Sequence, residues 1–221
     1  MNAESSVSAP LSAPVAASQS GEPAPRIDLL RIAQWIAPGS RVLDLGCGDG
    51  RLLAYLQQTR QVRGAGVEID DEQVIAAVRR GVSVIQQNLE GGLALFDDAQ
   101  FDTVVLSQTL QSMRHTEHIL REMARVARYG IVSFPNFGYW PHGWSILAGR
   151  MPVNDQMPYE WYDTPNIHLC TLRDFQILAA RLGLRITDLA AFRGEREIRY
   201  LRGWRSMLAV YRFESPAGAR S

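Results

Sequence analysis

Three glycines alternate along a stretch that opens with an acid: Asp44-Leu45-Gly46-Cys47-Gly48-Asp49-Gly50. Glycine at every second position lets a backbone turn sharply and approach a ligand with no Cβ in the way. The apolar run Arg41–Leu45 before it reads as a strand, and the residues from Arg51 to Gln58 read as a helix. The loop therefore joins a strand end to a helix N-terminus, where free N–H groups and the positive end of the helix dipole favour a carboxylate. Asp44 supplies an acceptor for an ammonium of the same ligand, or for ordered water. Asp44, Gly46, Cys47, Gly48 and Gly50 are expected to border that ligand.

A second acid, Glu68, ends the run Gly66-Val67-Glu68, 22 residues after Gly46. At that spacing a carboxylate accepts from two ribose hydroxyls. Dinucleotide sites carry the same acid, but their glycine pattern is G-x-G-x-x-G, and the third position here is Arg51. The pattern D-x-G-x-G-x-G is instead the form that holds S-adenosyl-L-methionine, whose methionyl tail carries both the carboxylate and the ammonium. Ile69 follows Glu68, and Asn88 with Leu89 follows the third strand, where an adenine amino group is bound. Asp is usual at the position of Asn88; Asn keeps the acceptor and loses the charge. Ser107 opens the segment Ser107-Gln108-Thr109 after the fourth strand, expected to line the wall near the sulfonium.

The elements that must position these residues alternate. Ile27, Leu30, Ile32 and Trp35 mark a helical face ended by Ala37-Pro38-Gly39; strands are expected at Arg41–Leu45, Val62–Ile69, Val82–Gln86, Phe101–Leu106 and Gly130–Phe134. Helices are expected at Asp71–Arg80, His115–Ala127 and Thr171–Leu182, and the last strands at Leu184–Ala191 and Ser206–Phe213. The class is α/β: a Rossmann-like class I methyltransferase fold with a mostly parallel seven-stranded sheet, an antiparallel edge strand, and helices on both faces. One domain is expected over residues 26–214, between disordered tails at 1–25 and 215–221. Residues 135–170 interrupt the rhythm with three Trp and three Tyr and are expected to form a folded lid or a partner surface.

Composition narrows the function classes. Formal net charge is zero over 221 residues, so no global field points to nucleic acid or an anionic membrane. No apolar run reaches the ~20 residues of a membrane span. All 23 basic residues are Arg, which excludes lysine Schiff-base chemistry. Two cysteines, Cys47 and Cys170, form neither a disulfide framework nor a four-ligand zinc site, so no metal is expected and a reducing cytoplasm suits the chain. The N-terminal residues have neither a basic start nor a continuous apolar stretch and do not read as a signal peptide.

Three long strings carry a resemblance: Leu106-Ser107-Gln108-Thr109-Leu110-Gln111, Ile131-Val132-Ser133-Phe134-Pro135-Asn136-Phe137-Gly138, and Pro158 through Thr171, reading PYEWYDTPNIHLCT. On these the chain, from Arg26 to Phe213, resembles the methionine biosynthesis protein MetW family. The resemblance implies S-adenosyl-L-methionine as cofactor, a role in methionine synthesis, and the homoserine O-acyltransferase MetX as partner, with methyl transfer by the family itself not well established. A stand-alone small-molecule methyltransferase is the alternative.

The residues bear on that choice. Base- and amide-methylating enzymes carry Asn or Asp, then Pro-Pro and an aromatic, after the fourth strand; Ser107-Gln108-Thr109 stands there instead. The candidates for acid–base work, Tyr159, Asp163 and His168, all lie in the insertion. His168 is as readily structural, and Tyr159 to Asp163 suit a pocket cap or a protein contact equally. Arg193, Arg196, Arg199, Arg202 and Arg205 recur at three-residue spacing, along one side of a helix-like or turn segment, which reads either as a solvated loop with Glu195 and Glu197 as partners or as an anion or partner patch.

Overall fold

The computed structural model describes residues 26–154 and 157–216. Eight strands, β1 (Arg41–Leu45), β2 (Arg63–Glu68), β3 (Ser83–Gln86), β4 (Phe101–Ser107), β5 (Ala127–Pro135), β6 (Arg185–Arg193), β7 (Arg196–Glu197) and β8 (Leu208–Glu214), form one sheet in the order β3-β2-β1-β4-β5-β8-β6-β7. The helices are α1 (Ile27–Trp35), α2 (Arg51–Arg60), α3 (Asp71–Arg79), α4 (Thr116–Val126), α5 (Trp140–Leu147), α6 (Leu172–Arg181) and the single turn α7 (Arg202–Arg205).

The central strands are largely apolar because both faces are covered, and their side chains divide by alternation. Val42 and Val105 join α1 and α2 in one core, while Leu43, Leu45, Val104 and Leu106 join α4 and α6 in the other. α6 begins at a reciprocal cap, in which Thr171 Oγ1 accepts from Asp174 N–H and the Asp174 carboxylate accepts from Thr171 N–H.

The expected antiparallel pairing of the last two long strands is present, and β8 lies between β5 and β6, antiparallel to both. The two-residue β7 adds an eighth strand at the margin, one more than the seven expected. The segments 1–25 and 217–221 lie outside the described residues. Ser215 is buried, and its Oγ donates to Ala127 O at 2.7 Å.

The insertion contains α5, which the sequence pattern did not suggest. Its one buried residue is His142, 4% exposed, flanked by the rings of Phe137 and Tyr139. Nδ1 of His142 lies 3.2 Å from Phe137 O, and Nε2 lies 2.7 Å from the Asn154 amide. Burial depresses the His142 pKa, so the ring is neutral, donating to Phe137 and accepting from Asn154.

Gly130 on β5 faces Phe213 on β8, and a Cβ at Gly130 would fall 2.0 Å from Phe213 Cζ. The Phe213 ring lies over bare backbone there. Gly130→Ala is expected to destabilise the fold by about 1–3 kcal/mol through overpacking, seen as a lower denaturation midpoint at unchanged denaturant slope; an unaltered midpoint would refute the contact.

Candidate functional site

Order in the parallel part of the sheet reverses between β1 and β4, so the carboxyl ends of these two strands diverge and leave a crevice. Two adjoining cavities fill it and meet at Gly46. The first, about 270 Å³, is lined by Arg26, Asp44, Cys47, Gly48, Arg51 and Ser107 among others. The second, about 320 Å³, runs past Glu68, Ile69, Asn88, Leu89, Gln108 and Met113.

The glycines have three different tasks. Gly46 and Gly48 take left-handed φ angles of +66° and +53°. A Cβ on Gly46 would fall 2.7 Å from Thr109 Oγ1, while one on Gly48 would meet only Gln73 Oε1 at 3.8 Å. Gly48 is thus the open point of the loop. Gly50 lines neither cavity; at φ +73° it starts α2 and is pressed against Ala77 and Val82, where a Cβ would come within 2.9 Å of Ala77 Cβ. Its bare Cα serves the packing of α2 onto α3 and not approach to a ligand.

Asp44 is 2% exposed, and its Oδ1 has no hydrogen-bond partner. Burial, reinforced by the Glu68 charge and opposed by Arg26, pushes its carboxyl up to about 7. Such a buried carboxylate, lining a cavity with Oδ1 unpartnered, suits a cation. Cys47, also expected at the site, lines the cavity but directs its sulfur at Gly66, where a Cβ would lie 2.3 Å from Sγ. Burial and the surrounding carboxylates push its thiol up to about 12, so it is no nucleophile.

The Glu68 carboxylate is held by three backbone donors: Gly48 N–H at 2.8 Å, Ile69 N–H at 2.8 Å and Asp70 N–H at 3.1 Å. Oε1 takes two of them and Oε2 one, leaving acceptor capacity on Oε2. Asn88 Oδ1 accepts from Glu90 N–H at 2.9 Å and caps a short 3-10 turn, so its acceptor is partly engaged. Ser107 Oγ is shared with Ser133 Oγ at 3.1 Å and Arg26 Nη2 at 3.3 Å.

Gln108 and Thr109, expected along the wall after the fourth strand, line the second cavity, whereas Arg26, Asp49, Arg51 and Gln73 in the first, and Ser112 and Met113 in the second, carry no signal in the sequence pattern. Arg26 arrives through the docking of α1 and bears no local signature. Asp49 is fixed between Arg51 and Arg80 at 2.9 and 3.0 Å. Gln108 adopts φ +52°, and its side chain donates to the buried Asp28 at 3.1 Å.

The candidates for acid–base work lie apart from this crevice. Tyr159 and Asp163 are exposed on the insertion and line neither cavity. His168 borders a third cavity, about 560 Å³ and mostly apolar, which reaches Leu110, Phe134, Cys170 and Phe175 between α4 and α6. Among the described residues no group of three or more His, Cys, Asp or Glu side chains could hold a metal ion, and no helix is long and apolar enough to cross a membrane.

A family model, methionine biosynthesis protein MetW, matches residues 26–213. The chain belongs to the MetW family. It is 37% identical over 172 residues to the bifunctional methionine biosynthesis protein MetXA/MetW of Rhodopirellula baltica, a match covering 73% of this chain and 28% of that one. It is 31% identical over 98 residues to 27-O-demethylrifamycin SV methyltransferase of Amycolatopsis mediterranei, covering 42% of this chain and 36% of that one. The MetW-family chain thus spans well under half the length of these relatives. Among solved structures it is similar to a SAM-dependent methyltransferase from Archaeoglobus fulgidus (TM-score 0.65, 14% identity, 85% and 91% of the two chains). It is also similar to a SAM-dependent methyltransferase, possible histamine N-methyltransferase, from Thermotoga maritima (TM-score 0.61, 19% identity, 85% and 87%). The fold is therefore that of the class I methyltransferases.

Because its pKa is raised above the unfolded value near 3.8, Asp44 binds more protons folded than unfolded between pH ~4 and ~7, and its contribution falls as pH rises through that window. Asp44→Asn is expected to raise the melting temperature of the ligand-free protein by several degrees at pH 8, with a gain that shrinks toward pH 5. A gain that grew on acidification would show that the carboxylate is not buried neutral.

Proposed function

We propose that this chain binds S-adenosyl-L-methionine in the β1–β4 crevice and acts with the homoserine O-acyltransferase of methionine synthesis as a ligand-responsive partner. The observation that carries the partnership is the Rhodopirellula baltica relative, whose name joins MetXA to MetW in one bifunctional protein. Two activities joined in one chain are held at high effective concentration, an arrangement that favours proteins that act together.

The crevice suits the ligand residue by residue. Unpartnered Asp44 Oδ1 fits the ammonium of a methionyl tail, and the open Gly48 backbone with Arg26 and Arg51 fits its carboxylate. Glu68 and Asn88 then face the ribose and adenine, between Ile69 and Leu89. S-adenosyl-L-methionine, when bound, supplies a sulfonium-activated methyl group. The wall that would meet an acceptor is Ser107, Gln108 and Thr109, hydroxyl and amide groups already bonded to Ser133, Asp28 and Ser107 O. Among the described residues these three side chains carry no ionisable group, which favours binding over stand-alone methyl transfer.

A path from crevice to insertion supports the responsive part. Gln108, which lines the second cavity, receives at its carbonyl the Gln111 side chain at 2.7 Å. The Gln111 carbonyl in turn accepts from Ile167 and His168 N–H at 2.8 and 3.0 Å. A ligand that settles the strained Gln108 turn therefore also bears on the end of the insertion.

The test is complex formation and acyltransferase rate, with and without S-adenosyl-L-methionine. The expected result is a complex whose affinity changes at least about fivefold with the ligand, and a Gln111→Ala variant that still binds the acyltransferase with that response reduced. Two purified proteins that form no complex and leave the rate unchanged would sink the reading.

A further inference from the structure

Helix α5 is inverted. It buries His142 and turns outward Trp140, Trp144 and Leu147, spaced four and three residues apart on one stripe and 50%, 65% and 79% exposed. A helix ordinarily hides that stripe. Of the nineteen large apolar side chains exposed among the described residues, fourteen fall in 140–169 and 200–204, so the exposure is concentrated and not scattered.

The two segments meet in space. The Asn136 amide donates to Gly203 O at 2.9 Å and Ser206 O at 2.8 Å, tying α7 to the root of α5. Arg193 lies over the Tyr139 ring at 5.6 Å. From α7 and the residue pair before it, Tyr200, Leu201 and Trp204 project outward, each more than 70% exposed. Leu201 does so from a left-handed backbone at φ +52°, a conformation strained for a non-glycine residue.

The arginine series completes this surface. Arg193, Arg196, Arg199 and Arg205 surround one cavity of about 550 Å³ beside Tyr200. Glu197, expected as their counter-ion, is bonded instead to Arg31 on α1 at 2.7 Å. Among the described residues none of the four arginines has a carboxylate partner. Arg202 departs from the series and turns inward to Leu189 O. Exposed Trp and Tyr ringed by unpaired Arg is the composition of binding hot spots.

Resting on the partnership proposed above, we infer that the face formed by Trp140, Trp144, Tyr200, Leu201 and Trp204, rimmed by Arg193, Arg196, Arg199 and Arg205, is the docking surface for the acyltransferase. The partner it fits presents an apolar centre flanked by Asp and Glu. A second copy of this chain fits poorly, because a two-fold contact would gather both copies of the four-arginine rim into one interface. The face also lies at the carboxyl edge of the sheet: Leu208, just beyond α7, pairs with Pro135 at the end of β5 and with Phe192 near the end of β6. It therefore shares an edge with the crevice.

Full-length chain and the acyltransferase of the same organism are titrated by biolayer interferometry, with Trp144→Ala/Trp204→Ala, Arg199→Glu/Arg205→Glu and, as control, Ile75→Ala on the exposed side of α3. Circular dichroism and S-adenosyl-L-methionine binding report whether each variant is folded. The double Trp variant is expected to lose about 100-fold or more in affinity. The charge reversal is expected to lose about tenfold, mostly in association rate, and to abolish the salt dependence of that rate. Ile75→Ala is expected to bind as wild type. Folded variants that bind as tightly as wild type would overturn the surface while leaving the partnership intact. If instead the wild-type chain binds no acyltransferase, the partnership itself fails. Loss of self-association, or of binding to phosphatidylglycerol vesicles, with acyltransferase affinity unchanged would assign the face to another occupant and overturn the inference.

Discussion

Between β1 and β4 the winding of the chain reverses, and no connection can cross the gap that the two diverging strand ends leave. What borders the gap therefore comes mainly from strand ends and the turns after them, with Arg26 reaching in from the start of α1 and Gln73 from α3. That constraint explains why the residues that matter are in sequence so far apart: Asp44 at the end of β1, Glu68 at the end of β2, Ser107 at the end of β4. It also explains the backbone there. Gly46 and Cys47 both donate to Val67 O, so the loop after β1 is pinned to β2 before any ligand arrives. A pinned loop loses little entropy on binding, which is what preorganisation means energetically.

Asp44 shows the other side of that arrangement. A carboxylate kept in the core with one oxygen unpartnered opposes folding at neutral pH, and a sequence under pressure for stability alone would place Asn or an apolar residue there. Glu68, at the end of the neighbouring strand β2, is the counter-example: three N–H donors hold its carboxylate in place. Glu68 is engaged with the loop and keeps acceptor capacity on Oε2, whereas Asp44 Oδ1 has no hydrogen-bond partner, so the two ends of the crevice differ in how far their carboxylates are already bonded.

Much of this was legible in the sequence. Short apolar strands bounded by glycine carry their own signal, and the motif from Asp44 to Gly48 and the acid at Glu68 fall at the crevice because strand ends are set by local pattern. What was not legible has physical causes. α5 escaped because its amphipathic pattern is inverted: an apolar stripe outside and a histidine inside gives no core-facing period. Arg26 escaped because only the docking of α1 brings it to Asp44. The arginine spacing left a solvated loop and an anion or partner patch both open. Gly194 and Leu201, both in left-handed conformations, break the segment into hairpin, loop and turn, so that Arg193, Arg196, Arg199 and Arg205 converge on one cavity. Gly50 belongs to the motif by spacing but to the α2–α3 packing by contact, a distinction spacing alone does not make.

A surface this apolar is stable in a folded chain only if the energy of ordering it comes from elsewhere, and the insertion supplies it with few buried groups: His142 between two rings, the Asn136 amide against α7, and two N–H donors on Gln111. These anchors have unlike sensitivities. The Asn136 contacts carry no titratable group and hold the aromatic face in shape. His142 must stay neutral to keep accepting from Asn154, so acidification favours the state in which it is released and charged. The Gln111 anchor alone connects to the crevice. The aromatic face is held by the Asn136 contacts and the link toward the crevice by Gln111, so the two are set by different residues.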